Sequence, residues 1–350
     1  MKILSTNITR DGKAYLIGEL GHNHQGDVKR AMSMMSTLKA AGFHAAKLQK
    51  RTNYELFTRE LYHQPYEGHN SYGATYGAHR NALELSAVEY KELQMWGEEI
   101  DLHLFATAFD FTAADFLEDL RVPAYKMASG DITNTPLLRH VANFGKPMFI
   151  STGGATMEDI KRAHDVIMSV NEQLCIMHCT ASYPCPPPGD SYEVFNMSAI
   201  PVLRKTFQDV VIGFSDHQSG IMLGPVGFGL GARVFEKHVT FDRAAKGTDH
   251  PFSLEPVGQR KYARDIERVQ EAMGDGVKRL YECEKAPLRK MAKSIYAKKD
   301  LLKGTIISIE EVVFKAPAEG LPPYNIYNML GRKTNKHLVK EQLILWEDLE

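Results

Sequence analysis

Short apolar runs alternate with amphipathic stretches from the start of the chain to about residue 280, a pattern that reads as parallel βα units and not as a sandwich. The runs that predict strands are Tyr15–Leu20, Ala45–Gln49, Leu102–Thr107, Ala124–Ala128, Met148–Ser151, Cys175–Cys179, Val211–Phe214 and Val234–His238. Eight such repeats in roughly 270 residues match a closed (β/α)8 TIM barrel, whereas an open doubly wound sheet usually has about five or six strands. The expected fold class is therefore α/β.

Helix starts agree with this division. Ser86-Ala-Val-Glu89, Thr112-Ala-Ala-Asp115 and Thr156-Met-Glu-Asp159 each place a capping hydroxyl three residues before a carboxylate. Asp27 is positioned to cap the first helix and Gly42 to end it, with Val28, Ala31, Met32, Met35 and Leu38 forming one apolar stripe. The uncharged stretch Ser219–Ala232 reads as a buried helix, too short and glycine-rich to span a membrane.

Two segments break the pattern. Between Lys50 and Leu85 the sequence turns rich in Tyr, His, Asn and Gly, which predicts a functional loop lying as a lid over one barrel face. After Gly276 a charged connector leads into a short, turn-rich segment. The expected domains are a barrel at 1–281, a linker at 282–292 and a small β-rich domain at 293–350, with a short capped helix at Ser308–Glu311 and a rigid turn at Leu321–Pro323.

Lysine and arginine number 42 against 43 acidic residues, so the chain lacks the broad basic field of a nucleic-acid binder. The N-terminus, Met1–Asn7, turns polar before a secretory apolar region could form. Four cysteines without a C-x-x-C pair make no disulfide framework. The expectation is a cytoplasmic protein that binds neither nucleic acid nor membrane.

Barrel chemistry is built at the C-terminal ends of strands, and polar residues gather there. Glu19 ends the first run, Lys47 and Gln49 the second and Thr107 the third, with Phe109 beyond it. Lys126 is followed by Ser129, Ser151 by Thr-Gly-Gly154, His178 by Tyr183, and Ser215 by Asp-His217; Glu236 and His238 end the eighth run. Lys47 and Lys126 lie inside apolar strands, where an unpaired ammonium is costly to bury. Either they hold an anion, helped by hydroxyls and by a glycine turn opening a helix, or each pairs with a carboxylate such as Glu19 or Glu236. His217 and His238 end adjacent strands, as an open two-imidazole site for Mn²⁺, Fe²⁺ or Zn²⁺ requires. A rival reading takes His22 and His24 as the H-x-H of a metallohydrolase barrel, completed by a strand-four lysine and a strand-six histidine.

The segments I-G-E-L-G-H-N-H-Q-G-D around Glu19, K-L-Q-K at 47–50, Y-K-M-A-S-G-D at 125–131, I-S-T-G-G at 150–154, G-F-S-D-H at 213–217 and E-K-H-V-T at 236–240 together resemble the sialic acid (nonulosonic acid) synthases. The C-terminal segment resembles the antifreeze-like (SAF) domain that these enzymes carry. The resemblance implies a transferase that joins phosphoenolpyruvate to the open-chain aldehyde of an N-acylhexosamine and releases phosphate. It implies that Lys47, Thr107, Lys126, Ser129, Ser151 and Ser215 hold phosphoenolpyruvate. His217 and His238 would then ligate a divalent metal, Mn²⁺ first and Mg²⁺ or Co²⁺ after it. Glu19 would act as acid/base, and Gln49, Phe109, Tyr183 and Asp249 would contact the sugar. It also implies a homodimer in which each SAF domain covers the partner's barrel.

The chain departs from the common bacterial pattern at Ala181 and at Ala316, next to Lys315. The stretches T-Y-G-A-H-R at 75–80, K-G-T-D-H at 246–250 and G-L-P-P-Y-N-I-Y-N-M-L-G-R-K at 320–333 look closer to the animal-type subgroup, which takes N-acetylmannosamine 6-phosphate. His79, Arg80 and Lys246 are candidates for such a phosphate. A carbohydrate- or ice-binding module, the non-enzymatic reading of the SAF segment, leaves the strand-end residues unexplained.

Overall fold

Eight parallel strands follow one another around a closed barrel in chain order: Tyr15–Glu19, Ala45–Lys50, His103–Ala108, Tyr125–Met127, Met148–Ser151, Leu174–Cys179, Val211–Asp216 and Val234–His238. The last strand pairs with both the seventh and the first, so no edge is left open. The α/β barrel expectation holds. The computed structural model describes residues 1–183, 185–187 and 189–350, which divide into two units, Met1–Gly274 and Asp275–Glu350.

Register and alternation decide what faces inward. His238 lies opposite Glu19, Glu19 opposite Lys47, Gln49 opposite Thr107, and Thr107 opposite Lys126. Because side chains alternate along a strand, this register puts Glu19, Lys47, Thr107 and Lys126 on the inner face of neighbouring strands. Beneath them Phe105 and Phe149 stack inside the barrel with ring centroids 5.4 Å apart. The interior is thus a packed hydrocarbon floor with a polar layer above it.

Helices cover the outside. The first, Val28–Ala40, is capped by Asp27, whose carboxylate accepts from the Lys29 and Arg30 N–H groups at 2.8 and 3.1 Å. It lies so close to the sheet that a Cβ on Gly18 would fall 2.3 Å from the Leu38 side chain. Ser86 with Glu89 and Thr156 with Asp159 form the expected capping boxes. Thr112 does not cap its helix: Asp110 does, accepting from Ala113 N–H at 2.6 Å, and the Thr112 hydroxyl donates to Glu55. Asp110 has the extended backbone of an N-cap residue, whereas Thr112 already lies within the helix Phe111–Asp119. The helix expected over Ser219–Ala232 is shorter, Leu223–Gly229, and leaves Met222 and Val226 exposed.

The segment after the second strand carries three short helices, Asn53–Leu56, Arg59–His63 and Tyr76–Asn81. It reaches across the strand ends to the loop after strand eight. Tyr72 Oη donates to Lys246 O at 2.6 Å and Asn70 Oδ1 accepts from Gly247 N–H at 3.0 Å.

In the second unit, Glu282–Met291 is a helix, and Ser294–Ala297 pairs antiparallel with Val312–Lys315 over a small core of Ile295, Leu301, Ile307, Met329, Leu338 and Ile344. Ser308–Glu311 forms a turn instead of the expected helix, closed by Glu311 N–H to Ser308 O at 3.1 Å. The Ser308 hydroxyl accepts from Glu310 N–H at 3.3 Å, satisfying the turn locally without a following helix. No helix among the described residues is long and apolar enough to cross a membrane.

Replacing Phe105 by Ala removes the ring that carries the polar layer and should cost about 3–5 kcal/mol. Urea denaturation measures this; a loss of about 1 kcal/mol or less would mean the floor collapses around the gap.

Candidate active site

A cavity of about 530 Å³ opens over the C-terminal strand ends. A larger cleft of about 730 Å³, lined by Leu16, His44 and Arg260 among others, lies at the opposite end of the strands, where barrels do not build their chemistry.

The base of the upper cavity is a buried charge layer. Lys47 Nζ is 2.8 Å from Glu19 Oε2, 3.8 Å from Glu236 Oε2 and donates to Thr107 Oγ1 at 2.7 Å. Lys126 Nζ reaches Glu236 only at 4.0 Å and donates to Met127 O at 3.1 Å. All four charged groups are nearly inaccessible. The two readings of the lysines therefore divide: Lys47 has a carboxylate in contact, while Lys126 is held at longer range and lines the cavity. Ser151 Oγ, which lines the same cavity, is buried without a hydrogen-bond partner among the described residues, and Ser215 Oγ donates to Glu236 at 3.3 Å.

Burial outweighs the Lys47 attraction at Glu19 and raises its carboxyl to about 7. Glu236 goes the other way: although burial opposes it, Lys126 and Lys47 hold it below the usual carboxylate range. One carboxyl is poised to carry a proton near neutral pH and its neighbour stays ionised, the split environments that separate acid/base roles. Glu236 was read from sequence only as a counter-ion, because its strand position does not reveal that it faces both lysines.

His217 and His238 meet as expected, with ring centroids 5.4 Å apart. His217 Nδ1 lies 2.9 Å from Thr180 O, which orients the ring, and His238 Nδ1 is buried with no hydrogen-bond partner among the described residues. Burial, then the nearby His217, keeps His238 well below its ordinary pKa, so it remains a neutral imidazole. An orphaned ring nitrogen on a neutral histidine beside a second imidazole fits a divalent cation. No group of three or more His, Cys, Asp or Glu among the described residues surrounds such an ion, so other ligands would come from substrate or water.

The remaining predicted residues line the same cavity: Gln49, Phe109, Ser129, Tyr183 and Asp249. Gln49 donates to Glu19 at 2.6 Å, Tyr183 packs 4.6 Å from His217, and Asp249 lies 3.8 Å from His238. Ser129 accepts from Gly153 N–H at 3.0 Å, so that amide of the glycine turn is spent on a side chain. A Cβ at Gly153 would sit 2.5 Å from Ala181, which explains the glycine.

The metallohydrolase set is not assembled. His178 faces outward, its Nε2 2.7 Å from Phe195 O and its ring stacked on Phe214. His22 lies between Arg51 and Arg80, and His24 Nδ1 accepts from Gly26 N–H. Arg51 was missed in the sequence, although the Lys47, Gln49, Arg51 spacing carries the inward face one residue past the strand.

A closed (β/α)8 barrel with a buried lysine–carboxylate layer under a cavity at its strand ends has the architecture of a barrel enzyme. The chain belongs to the NeuB family, which matches residues 34–278, and residues 292–350 match the SAF domain. It is 36% identical over 337 residues to the N-acetylneuraminate-9-phosphate synthase of Mus musculus, covering 96% of this chain and 92% of that one. It is 32% identical over 343 residues to the N,N'-diacetyllegionaminic acid synthase of Legionella pneumophila, covering 96% and 94%. The solved N-acetylneuraminic acid synthetase of Leptospira borgpetersenii, in complex with citrate, superposes with a TM-score of 0.71 at 27% identity, covering 82% of this chain and 94% of that one.

His24 supplies a pH test. Burial lowers its pKa from 6.5 to about 4, so the unfolded chain binds the extra proton between those values and stability falls as pH drops. From pH 7 to 4.5 this residue should account for a loss of about 2–3 kcal/mol, and His24→Asn should shrink the loss by that amount in denaturant titrations. An unchanged pH slope in the variant would refute it.

Proposed function

We propose that this protein condenses phosphoenolpyruvate with the open-chain form of an N-acylated hexosamine, making a nine-carbon nonulosonic acid and releasing phosphate. The observation that carries this reading is Lys126, a buried cation lining the cavity at 4.0 Å from its nearest carboxylate, in a cavity it shares with the Ser151 hydroxyl, which has no partner among the described residues. Lys126, Ser151 and Ser215 bind the donor's phosphate, and Lys47, through Thr107 and Glu19, sets the floor on which its three carbons lie. Ser129 orients the turn above them.

Glu19 gives or takes the proton of the water that adds to C2, because its carboxyl changes state near neutral pH. Gln49 holds Glu19 at that point. Phe109, Tyr183 and Asp249 position the sugar, and Tyr183 packs against His217. His217 and His238 would hold a divalent cation, most suitably Mn²⁺, with Mg²⁺ or Co²⁺ as substitutes; when bound it polarises the aldehyde oxygen.

The assembly we infer is a homodimer in which the SAF unit covers the partner's barrel. Tyr324 and Tyr327, 70% and 79% exposed in a sequence segment that matches the family, support it. The cytoplasm is the compartment we infer, supported by four free cysteines, three of them buried.

Phosphoenolpyruvate, Mn²⁺ and a panel of N-acylhexosamines and their 6-phosphates should yield a nine-carbon acid by mass spectrometry together with inorganic phosphate. No product from any member of the panel would refute the reading. Lys126→Ala should raise KM for phosphoenolpyruvate by about 30-fold with a much smaller change for the sugar, as expected on losing a charged hydrogen-bond donor. Equal losses for both would make Lys126 structural. His238→Ala should remain folded by circular dichroism and lose both bound Mn²⁺ and turnover, whereas retained metal would remove the histidine from the site.

A further inference from the structure

A second buried ion pair lies on the opposite face of the strands that carry His217 and His238. Asp216 and Lys237 are direct cross-strand partners at the ends of strands seven and eight, and each immediately precedes one of the two imidazoles. Alternation turns both charges outward while the histidines turn into the lumen. Asp216 Oδ2 and Lys237 Nζ are 2.9 Å apart and both side chains are fully buried. Lys237 Nζ lies 5.9 Å from the ring centre of Tyr262, on the covering helix Pro256–Met273.

The outer face of a barrel strand under a helix is ordinarily apolar. Two residues earlier it is: Phe214 and Phe235 are buried there, within 3.4 Å of where a Cβ on Gly227 of the helix Leu223–Gly229 would stand. Stability does not explain the exception, because well-packed apolar residues of similar volume replace a buried ion pair at no loss or with a gain.

The contacts of the pair show what an apolar pair could not do. Asp216 Oδ1 accepts from the Gln218 N–H at 2.8 Å, and Lys237 Nζ donates to Gln218 O. Both main-chain groups of Gln218 are thus bound to the pair. His217 lies between Asp216 and Gln218, one residue past the end of strand seven, where the pairing with strand eight has stopped at Asp216 opposite Lys237. Side chains continue the connection for one more residue, across His217.

Two imidazoles can share one cation only if their nitrogens are placed to within about 0.2 Å. Phe252 restrains the rings, its centre 5.0 Å from that of His238 and 6.1 Å from that of His217, and Thr180 O orients His217. Those contacts set how the rings turn. The separation of the two main chains beneath them is what the cross-strand pair holds.

We propose that Asp216 and Lys237 are positioning residues, whose buried pair keeps the His217 and His238 main chains at the separation from which both imidazoles reach one divalent cation. This role rests on the divalent-cation reading of the two histidines given above. Neither Asp216 nor Lys237 lines the cavity, so the pair acts on metal affinity and not on contacts with phosphoenolpyruvate or sugar.

The test titrates the full chain with Mn²⁺ in the presence of phosphoenolpyruvate and reads free ion by electron paramagnetic resonance. Asp216→Asn keeps an oxygen for the Gln218 N–H but removes the charge, and Asp216→Leu with Lys237→Met replaces the pair by apolar volume. The double variant, folded by circular dichroism, should bind Mn²⁺ about 30-fold more weakly than the wild type, as removal of the groups that support metal ligands predicts. Asp216→Asn should weaken binding about 10-fold and raise KM for Mn²⁺ by the same factor, with KM for phosphoenolpyruvate changing by less than about threefold. If the double variant does not fold, Asp216→Asn decides. Wild-type Mn²⁺ affinity in a folded variant, or a KM for phosphoenolpyruvate that rises as far as that for Mn²⁺, would overturn the positioning role. His238→Ala separates the two readings. Mn²⁺ lost from it but held normally by the pair variants removes the pair and leaves the metal site standing, whereas Mn²⁺ retained by it removes both.

Discussion

Everything in the upper half of the barrel depends on placing two lysines and two glutamates where water cannot reach them. Burying one ammonium alone costs several kcal/mol, and burying four charges is tolerable only if each is paired at close range. Lys47 and Glu19 meet that condition at 2.8 Å, but Lys126 and Glu236, at 4.0 Å, meet it only in part. The incompleteness gives the layer its chemistry: a cation not fully neutralised attracts an anion, and a carboxyl raised to about 7 exchanges a proton.

The barrel provides this at low cost in order. Its closed hydrogen-bonding register sets Glu19 directly opposite Lys47 and puts Thr107 on the same inner face two residues past Phe105, the residue opposite Lys47, so Glu19, Lys47 and Thr107 touch without any loop having to hold them. The upper wall of the cavity comes instead from the connections. Arg80 lies on a short helix of the segment after strand two, and Asp249 on the loop after strand eight; those two connections are bonded to each other through Tyr72 and Asn70. A rigid floor with a loop-built upper wall lets a barrel family keep one donor chemistry while changing the acceptor.

The same division separates the two imidazole sites. His217 and His238 sit over strand ends, one oriented by a backbone carbonyl and the other with a nitrogen left open. His22 sits in a turn between two guanidinium groups, where a cation would be repelled. Equal residue types at similar depth are thus assigned opposite electrostatic roles by their neighbours.

Hydrophobic alternation, eight times repeated, determined the barrel, because period-two strands and period-3.6 helices of these lengths close in few other ways. The strand-end lysines, hydroxyls and the His217–His238 pair were equally legible, since alternation assigns each residue's face. What alternation leaves undetermined is distance across the lumen and between loops. Only the folded chain showed that Lys47 takes Glu19 while Lys126 stays under-neutralised, that His178 turns outward to Phe195, and that Asp110 displaces Thr112 as a cap. Arg51 and Arg80, 29 residues apart in the chain, meet at His22 through tertiary packing, and their meeting has no signature in a linear pattern. Local periodicity sets which way a side chain points; which charge it finds there is a matter of three-dimensional neighbours.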